Sequence, residues 1–337
     1  MSSTITRRAA LGAAAATLAA PAVRAQGAGN TGTGNTGTGY PSKPVRIVVP
    51  FPPGGLVDLL ARSVSQSLAA RLGQPFVVDN RAGAGGNIGA DIVAKAAPDG
   101  ATLLASSMGP LAVNQFIYPS MPYDTNTAFS PITLLATTPK VVCVAVARPW
   151  RNLAALVAAA KDKPGQLTAG SAGAGSSLHL ALELFKGETG TDIQHVPYRG
   201  AAPAVTDLVS GNIDMVIDNV PNIIGQIRAN AVRPLAVATE QRLPQLPDVP
   251  TTAEAGVPGF LFGTAFGMAA PAGTPDAIVS IIAEAVAVAL RDPAIGGRLA
   301  EQGTILGGTG PQAFAALVEN EKRTLEPVIR RANIRAD

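Results

Sequence analysis

From Tyr40 onward, short β-type runs alternate with helical ones, and this alternation restricts what the chain can fold into more than any other feature. Residues 45–49, 76–78, 102–105, 167–169, 193–196, 213–217 and 235–238 read as strands, being short apolar runs bounded by turn-forming residues. Between the first two, Leu56, Leu60, Val64, Leu68 and Leu72 step by four and Gly73 follows, which predicts a helix with a glycine stop. Further helices are expected over 88–96, 153–160, 178–185, 204–209 and 223–229. A long helix over 275–290 is expected to take Thr274 as its N-cap, and a last one, about 311–332, to start from Thr309 and Gln312 at capping-box spacing. Alternating β and α units argue for open parallel sheets with helices on both faces, which bind ligands beyond the carboxyl ends of their strands. The 337 residues, 47% of them hydrophobic, suffice for about two domains with a cleft between them. The apolar runs 139–147 and 262–269 are long enough to cross from one domain to the other.

The amino terminus reads differently. Thr6-Arg7-Arg8 is a basic start, residues 9–20 are a short Ala-rich apolar run, and Val23-Arg24-Ala25 offers a small-residue cleavage site. Residues 1–25 are therefore expected to be a signal peptide; its paired arginines resemble a twin-arginine signal, although Ala10-Leu11 stands where that motif often has Phe. Residues 26–39, rich in Gly, Thr and Asn, are expected to be a flexible linker. The formal charge of +3 resides in the leader arginines Arg7, Arg8 and Arg24, so the remainder is neutral. With aromatics at 4% and no basic face implied, nucleic acid is not an expected partner. The single cysteine, Cys143, lies in an apolar run and is expected to be a buried thiol.

Three strand-end loops share one design: Phe51-Pro52-Pro53-Gly54-Gly55, Ser106-Ser107-Met108-Gly109, and 170–177, GSAGAGSS. Each leads into a helix start, where free N–H groups and the helix dipole favour an anion. Glycines let a ligand approach the backbone, and serines add neutral donors. A fourth such stretch carries Arg199, which either holds a second carboxylate or is a solvated surface residue. Asp218, at the end of the strand IDMVID, either accepts from a ligand or braces a loop. Asp58 falls in the first turn of its helix, where a carboxylate serves the dipole.

Chemistry-bearing motifs are scarce. The Gly-Lys of a P-loop, H-E-x-x-H, C-x-x-C and G-x-S-x-G do not occur. His179 and Glu183, one helical turn apart, read as a helix-face pair rather than a metal site. No catalytic residue, metal ligand or cofactor is expected, and the chain reads as a binder without chemistry.

VRIVVPFPPGGLVDLLAR, VVDNRAGAGGNIGADIVAKAAPDGATLL, GAGSSLHLALELF, HVPYRGAAPAVTDLVSGNIDMVIDN, LAVATEQRLPQLPDVPTTAEAGVPGF and MAAPAGTP, in this order, resemble the Bug family over nearly all of residues 40–331. These are periplasmic solute receptors of tripartite tricarboxylate transporters. The resemblance implies an α/β, two-lobed periplasmic binding protein of type II with two crossover strands. It places lobe 1 at 40–140 plus 265–337 and lobe 2 at 141–264. It further implies a monomer that captures a small carboxylate or related metabolite and delivers it to integral membrane subunits of the transporter. The family's motifs carry ligand contacts onto Phe51, Gly54, Gly55, Leu56, Val57, Ser106 and Ser107, and onto Ser171, Ala174, Ser176, Ser177 and Asp218. Val57 departs from the small or hydroxylated residue common in relatives, which implies a less polar ligand or one bound through backbone alone. A periplasmic α/β enzyme and a ligand-presenting signalling receptor are the alternatives.

Overall fold

The computed structural model describes residues 39–335. The expected leader, and all but the last residue of the expected linker, lie outside the described residues. The first half opens with β1 (Val45–Val49), α1 (Leu56–Leu72), β2 (Phe76–Asn80), α2 (Asn87–Ala94) and β3 (Thr102–Ser107). A turn of π-helix, Gly109–Val113, runs into the short α3 (Asn114–Ile117). β4 (Phe129–Ala145) then leads to α4 (Leu153–Asp162), β5 (Thr168–Ser171), α5 (Ser177–Thr189), β6 (Gln194–Pro197) and α6 (Ala201–Val209). β7 (Met215–Asn219), α7 (Val220–Arg228) and β8 (Val232–Val237) precede the return strand β9 (Gly263–Pro271). The chain finishes with α8 (Asp276–Arg291), α9 (Pro293–Glu301), β10 (Ile305–Leu306) and α10 (Pro311–Arg331).

The strands follow the order β2-β1-β3-β9-β4-β7-β5-β6, with β8 and β10 also on β4. The pairs β1–β2, β1–β3, β5–β6 and β5–β7 are parallel, as the alternation predicts. The purely parallel expectation needs correction at the centre, where β4 and β9 run antiparallel to each other and to their neighbours. β4 changes partner along its length: Phe129–Pro139 pair with β9, and Lys140–Val144 pair with β7. It begins ten residues before the expected crossing run, because Ser130, Thr133, Thr137 and Thr138 interrupt the apolar signal while still forming the ladder.

Burial follows the sequence periods. On α1, Leu60, Val64 and Leu68 are fully buried, and Gly73 closes the helix in the left-handed conformation with its N–H on Ala69. The run Val141–Ala145 alternates between two cores: Val142 and Val144 face one, and Val141, Cys143 and Ala145 the other. Two caps differ from expectation. Thr274 turns back to donate to the Pro271 carbonyl at 2.8 Å, and Pro275 occupies the N-cap. Gly310 caps α10, while the Thr309 hydroxyl accepts from Leu134 N–H and its carbonyl from Thr133, tying the loop to β4. α9, hidden in the sequence by Gly296 and Gly297, is capped by Asp292, whose side chain accepts from Ala294 N–H, with Pro293 at its first position. Among the described residues, no helix is long and apolar enough to cross a membrane.

Candidate ligand-binding cavity

A cavity of about 540 Å³ opens where the β1–α1 turn, the end of β3, the start of α5, the β7–α7 junction and β9 come together. Three helix N-termini reach its wall. Gly55 stands at the N-cap of α1 with no side chain to satisfy the first-turn N–H groups, and Leu56 and Val57 follow it into the wall. Ser176 caps α5, accepting from His179 N–H, and Ser177 is the next residue. Asn219 is the N-cap of α7, with Pro221 in the first turn. Helices of this length bring partial positive charge to their N-termini, so the cavity is suited to anions before any side-chain charge is counted.

Of the twelve residues predicted to contact ligand, the structure brings Phe51, Gly55, Leu56, Val57, Ser107, Ala174, Ser176 and Ser177 to this wall. Gly54, Ser106, Ser171 and Asp218 stand elsewhere. Gly54 sits at φ +86°, and its N–H donates to Asp58 Oδ2 at 3.0 Å, so that donor is committed within the loop. Ser106 and Ser107 prolong β3 instead of forming a loop; the two-residue period sends Ser107 to the cavity and buries Ser106 completely. Ser171 belongs to β5, where its hydroxyl lies 2.6 Å from His195 Nε2 and accepts from Gly173 N–H. Asp218 is buried in β7, accepting from Asn219 N–H at 2.6 Å and from Asn222 at 2.9 Å; burial pushes its carboxyl up against those bonds and against Lys140. It braces the β7–α7 junction, and its neighbour Asn219 lines the cavity.

The bracing extends behind each loop. Asp58 gathers Gly54 N–H, Arg62 at 3.0 Å and Asn80 at 2.9 Å, and Asn80 also donates to the Phe51 carbonyl. Burial alone would raise the Asp58 carboxyl, but these donors outweigh it and hold it below its ordinary value. Asp58→Asn should therefore cost roughly 1.5 kcal/mol or more. The stability gap should be open above about pH 4 and should close as pH falls through the depressed pKa of the folded carboxyl. Urea unfolding of parent and variant across that range checks this; a gap that persists in acid would count against it. The histidines brace the second loop. Their rings stack with centroids 3.8 Å apart and planes at 9°. His179 Nδ1 accepts from Gly175 N–H, and burial pulls both histidines down to about 4, so they are neutral at pH 7.

The sequence missed several wall residues: Asn114, Tyr118, Asn219, Phe262, Thr264 and Glu321. Only Asn219 carried a readable signal, since Asn-Val-Pro has the form of a cap followed by a first-turn proline. Arg199 is exposed and outside the wall. A larger hollow of about 660 Å³ lies among β4, β10 and α10, but it holds no helix N-terminus of the kind described and none of the twelve residues.

A sheet crossed by two strands, with helix N-termini from both of its halves on one cavity, defines a two-lobed binding protein of the periplasmic type. A family model described as the tripartite tricarboxylate transporter family receptor matches residues 60–334, and the chain belongs to that family. BugT of Bordetella pertussis is 38% identical over 292 residues, which are 86% of this chain and 90% of BugT. The structure of R. palustris Rpa4515 with adipate has a TM-score of 0.75 and 40% identity, covering 88% of this chain and 100% of that one. MatC (Rpa3494) from Rhodopseudomonas palustris with bound malate has a TM-score of 0.72 and 33% identity, covering 86% and 100%.

Proposed function

We propose that this solute-binding receptor captures a short dicarboxylate in the 540 Å³ cavity and delivers it, as a monomer and without chemistry, to integral membrane subunits of a tripartite tricarboxylate transporter. The observation that carries the reading is the convergence of the α1, α5 and α7 N-termini, which offers more than one anion site on one space. One carboxylate rests on the Gly55–Val57 turn and Ser107; the other meets Ser177 and Asn219. The ligands held by Rpa4515 and MatC, adipate and malate, are both dicarboxylates. The histidines, turned to bracing Gly175 and Ser171, support capture without turnover.

The lobes are residues 40–140 plus 265–337 and residues 141–264, and β4 and β9 form the hinge on which they close around the ligand. The chain is exported and cleaved after Ala25. A mass of periplasmic material beginning at Gln26 is expected, and an intact leader would refute cleavage. The test of function is a thermal-shift screen of short mono-, di- and tricarboxylates and amino acids. A ligand at 100 times its dissociation constant should add about 2.7 kcal/mol, and the same ligand should lower the radius of gyration in solution scattering. Dicarboxylates that leave the melting temperature unchanged would overturn the reading.

A further inference from the structure

Lys140 sits where β4 leaves β9 and joins β7, and its side chain is fully buried. Its Nζ donates to Asn219 Oδ1 at 2.8 Å and to Ser177 Oγ at 3.2 Å. The Thr264 hydroxyl lies 3.1 Å from both acceptors, and the Thr138 hydroxyl 3.0 Å from Asn219 Oδ1. Ser177, Asn219 and Thr264 line the cavity, and Lys140 stands behind them. Asn219 Oδ1 accepts from Lys140, Thr264 and Thr138, which leaves the amide Nδ2 as the group this side chain has to offer a ligand. Ser177 Oγ accepts from the ammonium, so its own proton is free to donate forward. The α5–α7 side of the cavity is thus a donor wall polarised by a cation.

We propose that Lys140 is a positioning residue for the second anionic group of the ligand, acting through Ser177 and Asn219 to make this receptor prefer dicarboxylates to monocarboxylates of the same length. The inference rests on the carboxylate reading above and extends it to one named side chain.

The charged groups facing Lys140 are Asp218 on β7 and Glu321 on α10; α5 presents Ser177, Thr264 on β9 shares its partners Ser177 and Asn219, and the Phe262 ring centroid lies 5.9 Å from Nζ. Burial pulls the ammonium down to about 7, with Asp218 and Glu321 opposing. Burial lifts Glu321, itself in the cavity wall, to about 7, with Lys140 opposing. An arriving carboxylate favours the charged lysine and the neutral Glu321, so it should bind with proton uptake. The sign is the same for both groups: affinity for a second carboxylate is highest in mild acid and is lost as pH rises through 7.

The test titrates the exported protein calorimetrically with dicarboxylates from succinate to suberate and with their equal-length monocarboxylates, at about pH 6 and about pH 9, either side of both transitions. At the lower pH the best dicarboxylate should bind about 10- to 100-fold tighter than its monocarboxylate. The ratio should fall about tenfold or more at the higher pH. Lys140→Met should lower the low-pH ratio about tenfold and leave only the weaker fall with pH that Glu321 carries, whereas Glu321→Gln should keep a ratio that still falls with pH through Lys140. Should Lys140→Met fail to fold, the parent's two-pH comparison and the Glu321→Gln profile decide the matter. A parent ratio near one, or one unchanged by pH, overturns the role of Lys140 while leaving the carboxylate reading intact. A folded Lys140→Met with the parent's ratio does the same. If no carboxylate of either series binds, the carboxylate reading falls and this inference falls with it.

Discussion

Gly55→Val is expected to weaken dicarboxylate binding by about 100-fold or more, because it removes access to more than one charge-assisted hydrogen bond. The fold should survive. Gly55 has φ −74° and ψ 166°, an extended conformation open to valine, and an added Cβ meets only the Pro52 carbonyl, at 3.9 Å. The new methyl groups are instead expected to crowd the cavity wall that Gly55 shares with Leu56 and Val57. Ser107→Ala should cost about tenfold at most, since a water can replace the hydroxyl. Calorimetry with the best dicarboxylate of the screen, controlled by circular dichroism, reads both variants. A folded Gly55→Val protein that binds like the parent would reduce the loop to a mere turn. Gly54→Val makes a poor substitute, since φ +86° strains any side chain and would test the fold instead.

Phe314→Ala should have the largest effect on stability, about 3–5 kcal/mol, the usual cost of removing a buried phenyl ring. Phe314 is 1% exposed on α10, and its ring fills the spot that Gly267 of β9 leaves open; a Cβ there would run into the ring. This contact fastens the last helix to the return strand, and the same helix carries Glu321 and Leu325 into the cavity wall. The urea midpoint should drop with an unchanged slope. A loss below about 1 kcal/mol would mean that α10 is not held by this ring.

What the sequence disclosed was mostly local. The four-residue step on α1, its glycine stop and the bare Pro-Gly-Gly turn are each written in adjacent residues, and all were legible. The serine-rich turn before α5 was legible for the same reason. The placement of a side chain was harder to read where its direction depends on a boundary one or two residues away. Prolonging β3 through Ser107 decides which of two adjacent serines faces the cavity. With α7 starting at Val220 instead of residue 223, Asn219 becomes its N-cap and lines the cavity, while Asp218 stays buried in β7. Thr264, Lys140 and Glu321 were beyond reach, because nothing near them in sequence hints at the cavity; β9 and α10 carry Thr264 and Glu321 to its wall, and β4 sets Lys140 behind it. Thr309 looked like a cap and instead ties the start of α10 to β4, a partner about 175 residues away.

The route of the sheet also imposes an order on the chain's assembly. β3 has β1 on one side and β9 on the other, and β9 does not begin until Gly263. The first stretch of β4 likewise takes its ladder from β9. Until the polypeptide has run past residue 263, the amino-terminal sheet carries a bare edge on β3 that no earlier segment covers. The contacts that complete this half are among the most distant in sequence, so it is the half that begins first and finishes last.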